Sequence, residues 1–110
     1  MNFNLKYVFY VGLVTKEGQA IDKDFAIETV SASLAAFGID GFSVQEITGF
    51  YKGVEEKSLV VTVFDVTREE CGEMLLFCPY KIAKDLAKGL FQESVLVEVV
   101  EDVNAELVFA

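Results

Sequence analysis

Phe42-Ser43-Val44-Gln45-Glu46-Ile47 and Leu59-Val60-Val61-Thr62-Val63-Phe64 are two apolar, strand-like runs. Between them lies Thr48-Gly49-Phe50-Tyr51-Lys52-Gly53-Val54-Glu55-Glu56-Lys57, a polar stretch with two glycines, a tyrosine and adjacent glutamates. Read as a loop, this connection is longer than a tight hairpin needs. Chemistry tends to sit on such loops when a rigid scaffold holds them. Gly41 to Phe50 and Lys57 to Val66 are expected to form the central pair of strands, and the remaining elements arrange themselves around that pair.

Upstream, Leu5 to Val14 is a continuous apolar and aromatic run, the pattern of a buried first strand. Lys16-Glu17-Gly18-Gln19 is a turn. Asp22 has the chemistry of a helix N-cap, with Asp24 favourable in the first turn. Ile27, Val30, Leu34 and Phe37 follow at helical spacing, and Gly38 closes that helix. Downstream, Thr67 caps a second helix with Glu69 and Glu70 in its first turn, and Leu75, Cys78, Ile82 and Leu86 form its apolar stripe. Pro79 is expected to bend that helix near Phe77 or divide it into a short piece and a longer one. Ser94 to Val100 is a further strand, and Ala105-Glu106-Leu107-Val108-Phe109 a last short one.

The order β-α-β-β-α-β plus a terminal strand gives a single α+β domain over residues 1–110, of the split βαβ or ferredoxin-like class. Both faces of its third strand are apolar: Leu59, Val61 and Val63 on one side, Val60 and Phe64 on the other. The Ser94–Val100 strand repeats this, with Val95, Val97 and Val99 against Leu96 and Val100. Helices cover one face of such a sheet, so two apolar faces imply a second cover. A ring of subunits packing sheet against sheet supplies it, with a trimer the preferred form. Leu107 to Phe109 is free to pair with an exposed strand edge, in the same chain or a neighbour.

Composition narrows the function. The chain has 110 residues, 53% of them apolar, including 10 phenylalanines, enough for one sizeable core with apolar surface to spare. Its net charge of −9 and dispersed basic residues argue against a nucleic-acid ligand and favour a cationic one. No apolar run reaches the length of a membrane span, and the first residues lack signal-peptide character, so the cytoplasm is the expected compartment (that of a host cell if a phage encodes the chain). Cys71 and Cys78 stand on one helix face roughly 10 Å apart along the axis, too far for a mutual disulfide. Without histidine they make a poor metal site, so no metal and no cofactor is expected. The chain contains 0 histidines, which removes Ser-His-Asp and Cys-His machinery. Chemistry is left to carboxylates, tyrosine, lysine, backbone amides or the substrate's own groups.

Tyr51, Glu55 and Glu56 are the candidate chemical groups. Strand alternation turns Glu55 and Glu56 to opposite sides, so they do not act as one carboxylate pair. The plain structural reading is a solvated acidic turn. Asp65, near a strand end, reads as a capping or turn residue, and Glu46, on the Val44 and Thr48 side, as an interface salt-bridge partner. Tyr7 and Tyr10 read as amphipathic core residues whose hydroxyls reach the rim. The glycines form no phosphate loop.

Several segments, in order, resemble the phage S-adenosylmethionine (SAM) lyases, long called SAM hydrolases. Val8-Phe9-Tyr10-Val11 resembles the Phe-Tyr-Val opening of the coliphage enzyme, and Ser31-Ala32-Ser33-Leu34-Ala35-Ala36-Phe37-Gly38 follows, with Gly41 soon after. Thr48-Gly49-Phe50-Tyr51 is similar to a Thr-Gly-x-Tyr motif and Glu55-Glu56-Lys57 to Glu-Glu-Lys. Near the end, Gln92-Glu93-Ser94-Val95-Leu96-Val97 and Ala105-Glu106-Leu107-Val108-Phe109-Ala110 resemble Val-Leu-Val and Ala-Gly-Leu-Val-Tyr-Ala segments. The stretch between Tyr51 and Glu55 is much shorter here than in the coliphage enzyme. The resemblance implies a homotrimer of PII-like subunits that binds SAM as substrate at subunit interfaces and depletes the methyl donor, for instance against host restriction–modification. It implies catalytic roles for Tyr51 and Glu56, and substrate contacts from Thr48, Gly49 and Phe50. The rival expectation is a PII-like module that binds an adenine nucleotide without turning it over, and a third is a purely structural oligomer.

A reaction without histidine is chemically reasonable for this substrate. If SAM's own carboxylate attacks its γ-carbon, homoserine lactone forms and 5′-methylthioadenosine leaves, with no water to activate. A hydrolase would instead need a general base, and Glu56 is the attractive candidate.

Overall fold

The computed structural model describes residues 2–66 and 77–110, with the backbone alone at 51, 77 and 78. The elements run β1 (Asn2–Gly12), α1 (Lys23–Ala36), β2 (Ser43–Tyr51), β3 (Val54–Asp65), α2 (Phe77–Gly89) and β4 (Leu96–Glu106). The strands form one sheet in the order β2-β3-β1-β4, with every neighbouring pair antiparallel. This is the ferredoxin-like arrangement expected from the element order. One detail differs. The middle strands are β1 and β3, whereas β2 lies at an edge, because the crossover through α1 carries the chain past the place that β3 then fills.

The core grows from the β1–β3 pair. Tyr7 faces Val63, Phe9 faces Val61 and Val11 faces Leu59 across the ladder, and all six are buried. Period-two alternation puts them on one face, where Ala26, Val30 and Leu34 of α1 and Ile82 and Leu86 of α2 pack over them. Asp22 caps α1 as expected, its carboxylate Oδ2 accepting from Phe25 N at 3.0 Å. At the other end Gly38 takes φ +78°, and Ile39 N reaches back to Leu34 O at 2.9 Å. Glycine suits this left-handed closure because it carries no Cβ. Pro79 falls in the first turn of the described part of α2, where a missing N–H costs no intrahelical bond. The expected cap at Thr67 with Glu69 and Glu70, Leu75 of the stripe, and the thiols of Cys71 and Cys78 lie outside the described residues.

Neither described helix lies over the opposite face of the sheet. Phe64, Leu96 and Val100 are exposed there, whereas Val8, at its centre, is 5% exposed. The second apolar face inferred from the sequence therefore exists, and among the described residues no helix covers it. The extra C-terminal strand takes the form of a continuation of β4. Register jumps from Leu5↔Glu101 to Phe3↔Ala105 at an irregularity where Asp102 takes φ +58°, and Glu106 then pairs with Asn2. Residues 107–110 form no strand.

Two sequence expectations change. Tyr7 is 1% exposed, and its hydroxyl stays inside, donating to Oδ2 of the buried Asp65 at 3.2 Å. Asp65 is thus a core acid as well as a turn residue, its Oδ1 accepting from Val66 N at 2.9 Å. Second, the stretch from Thr48 to Lys57 is not a long loop. β2 and β3 stay paired to Tyr51↔Val54, leaving Lys52-Gly53 as the turn. Both turn residues have positive φ, +51° and +78°, the signature of a type I′ turn, whose twist matches that of the flanking strands. Polar residues misled the composition reading because an unburied hairpin has no need of apolar alternation.

Substituting Leu59→Ala is expected to cost about 2–5 kcal/mol in urea unfolding through cavity formation. Tyr7→Phe keeps the ring but removes a donor from Asp65, and is expected to cost about 1–3 kcal/mol; an unchanged midpoint would show that the hydroxyl contributes nothing. Gly53→Ala places a Cβ at φ +78°. Amide exchange from Thr48 to Lys57 should quicken while that of Leu59 and Val61 stays protected.

Candidate functional site

β3 pairs with β1 as far as Ser58↔Gly12, and Leu13 N adds a last tie to Lys57 O at 3.0 Å. Beyond that point β2 and β3 continue alone as a two-stranded arm that carries every site residue read from the sequence. A free hairpin of this kind is marginally stable in water, so the rest of the sheet anchors it. Near its base, the Glu46 carboxylate lies 3.5 Å from Lys23 Nζ and 3.8 Å from Lys57 Nζ. The expected Glu46 salt bridge is therefore made within the chain.

Register sorts the arm into two rows. Thr48 pairs with Lys57 and Phe50 with Glu55 on the helix-side row; Gly49 pairs with Glu56 on the open-face row, and Tyr51 with Val54 at the end. Glu55 and Glu56 thus occupy opposite faces, as alternation requires. Glu56 continues the row of Ser58 and Val60. Its cross-strand neighbour Gly49 has no side chain, and a Cβ built there meets nothing within 4 Å. The result is an open shelf beside a carboxylate. Phe50 and Val54 are 74% and 61% exposed, so the arm presents apolar as well as charged groups to its surroundings.

A separate concavity lies away from the arm. A cleft of about 680 Å³ opens at the far end of the sheet, where the loop into β2, the end of β3, Phe3 and Leu107 converge. Phe42 and Phe64 contribute aromatic walls, and the Phe3 and Phe64 rings stand 6.5 Å apart, tilted by 58°. Asp65 lies at its edge, and Asp40 and Glu106 are also among the described lining residues. Sequence reading missed this cleft because its residues come from four separate segments, and none carries a motif. The one available signal was Asp65, a lone acid closing an apolar strand.

Among the described residues no three acidic, cysteine or histidine side chains converge to hold a metal ion. No described helix is long and apolar enough to cross a membrane.

No protein-family model and no curated protein matches the chain. Solved structures do. A phage SAM lyase in its apo state superposes with a TM-score of 0.68 at 24% identity, over 94% of this chain and 86% of that one. A phage SAM lyase in complex with S-methyl-5′-thioadenosine gives a TM-score of 0.60 at 21% identity, over 94% and 85%. A DUF3240 family protein from Shewanella baltica gives 0.58 at 8% identity, over 97% and 98%. The likeness read from the sequence motifs thus extends to the backbone over 94% of the chain, which has the fold of the phage SAM lyases.

Proposed function

We propose that this protein degrades SAM by intramolecular lactonisation, giving 5′-methylthioadenosine and homoserine lactone. The observation that carries the reading is the likeness to phage SAM lyase structures over 94% of the chain, one of them holding S-methyl-5′-thioadenosine. The ordered motifs around Thr48–Tyr51 and Glu55–Lys57 add to it.

In the reaction the substrate carboxylate oxygen forms a bond to Cγ. The Cγ–S bond breaks, and its electron pair stays on sulfur. No proton moves, which suits a chain with 0 histidines. The protein's task is to fold the methionine arm so that oxygen, carbon and sulfur align, a step for which effective molarities are very large. An anionic oxygen and a cationic sulfur both become neutral, so removing water favours the transition state. A carboxylate beside the sulfonium would oppose that gain. Glu56 accordingly holds the ammonium or ribose end of the substrate, Tyr51 supplies a hydrogen-bonding wall, and Thr48, Gly49 and Phe50 shape the pocket.

Glu56 is exposed in the isolated chain, and the Gly49 shelf is open above it. Water leaves such a site only when something covers it. Association of three copies, with sites at the subunit interfaces, supplies the cover and also accounts for the bare apolar face.

Incubation with SAM followed by mass analysis tests the reading. Lactone appearing before homoserine supports lactonisation; homoserine from the outset, carrying solvent oxygen, points to hydrolysis with Glu56 as base. Binding of SAM or ATP without product would make the protein a nucleotide-binding module. Glu56→Gln and Tyr51→Phe should each lower kcat/KM by at least about tenfold, or about 1.4 kcal/mol of transition-state stabilisation, while the oligomer persists. Full activity in both variants would remove them from the site.

A further inference from the structure

The base of the arm is tied from a flank that the sheet does not reach. β4 begins at Leu96, and its pairing with β1 stops at Tyr10↔Leu96. On the other flank β1 pairs with β3 as far as Gly12↔Ser58, and Leu13 N then bonds Lys57 O at 3.0 Å. Hydrogen-bonding direction alternates along a strand. Gly12 and Val14 therefore turn their carbonyls to the flank that β4 has left, while Leu13 turns to β3. The Gln92 side chain fills that flank. Its Nε2 donates to Gly12 O and, at 3.4 Å, to Val14 O. One carboxamide thus continues the ladder where β4 is missing and keeps β1 in line for the Leu13–Lys57 bond.

The end of α2 is built to put Gln92 there. It closes in a Schellman arrangement, with Gln92 N donating to Ala87 O at 2.8 Å and Phe91 N to Lys88 O at 3.3 Å. The residue turned left-handed by this closure is Phe91, at φ +54°, and its ring is 62% exposed. Glycine is the usual occupant of such a position, and a bulky residue held there is an outlier of the kind that accompanies function. Phe91 O accepts in turn from Lys16 N at 2.9 Å, so the loop after β1 is fastened to the same corner. Gly12 leaves room for the amide: a Cβ built on it would stand 3.4 Å from Gln92 Nε2. Glu56 is the neighbour of Lys57 in the chain, and past Lys57 β3 is described as pairing with β2 alone. The direction of the arm is therefore set where Lys57 is held.

We infer that Gln92 is a positioning residue for Glu56, acting through Gly12, Leu13 and Lys57. That role rests on the SAM-degrading reading and names a residue outside the arm on which the site depends.

Gln92→Glu keeps the length of the side chain but replaces the donating nitrogen with an oxygen facing two carbonyls. Gln92→Asn keeps the amide and withdraws it by one carbon. In both variants amide exchange at Leu13 should quicken at least about tenfold while Val61 stays protected, the sign of a local opening in an intact fold. Unchanged protection of Leu13 in both variants overturns the inference. A double-mutant cycle reads the coupling to Glu56. Gln92→Glu should lower kcat/KM for SAM at least about fivefold in the wild-type background and less than about twofold when Glu56 is already Gln. Full activity, or an equal loss in both backgrounds, overturns the role assigned to Gln92. Absence of SAM turnover in the wild type counts against the functional reading, and Leu13 exchange then decides by itself whether Gln92 holds the base of the arm.

Discussion

The antiparallel pairing of β1 with β3 is the contact on which the structure depends. It brings Tyr7, Phe9 and Val11 beside Val63, Val61 and Leu59 in one buried row. Each large side chain fully buried there is worth about 1.5–3 kcal/mol. Both helices pack onto that row, and both edge strands take their places from it. Within the sheet β2 pairs with β3, so the register that buries Leu59 and Val61 also fixes Gly49 opposite Glu56. A slip of one residue would exchange the two faces and remove the shelf along with the core.

The same pairing explains why the two ends of the sheet differ. β1 stops at Gly12, and β3 extends past it with β2 as an arm. At the other end the strands finish together around Asp65, where Phe3, Phe64 and Leu107 leave a cleft. The buried Tyr7 hydroxyl binds Asp65 at that end, linking the core to the cleft edge. A chain with a projecting arm, a cleft at the far end and an apolar sheet face between them has the surfaces that association between copies would cover.

Some of the candidate site's geometry was legible before any coordinates. Glu55 and Glu56 on opposite faces followed from alternation alone, and the motifs around Tyr51 and Glu56 marked the region. The shape of that region was not legible. Thr48–Lys57 read as a loop because its polar composition matches loops, and an arm exposed on both faces carries no apolar alternation to reveal it. Lys52 gave no hint of left-handed backbone, since lysine is not a usual I′ residue; Gly53 beside it was the available clue. The cleft was invisible because Phe3, Phe42, Phe64 and Leu107 are far apart in sequence.

What the sequence by itself determined was the order of elements, the N-cap at Asp22, the closing role of Gly38 and the apolar character of both sheet faces. These depend on local geometry and on period-two or helical spacing, which a linear chain records. Only the tertiary structure decided that β2 lies at the edge, that Tyr7 turns inward to Asp65, and that the arm and the cleft lie toward opposite ends of β3. Those outcomes depend on which strands pair and where each pairing ends, and that is settled by packing between residues distant in the chain.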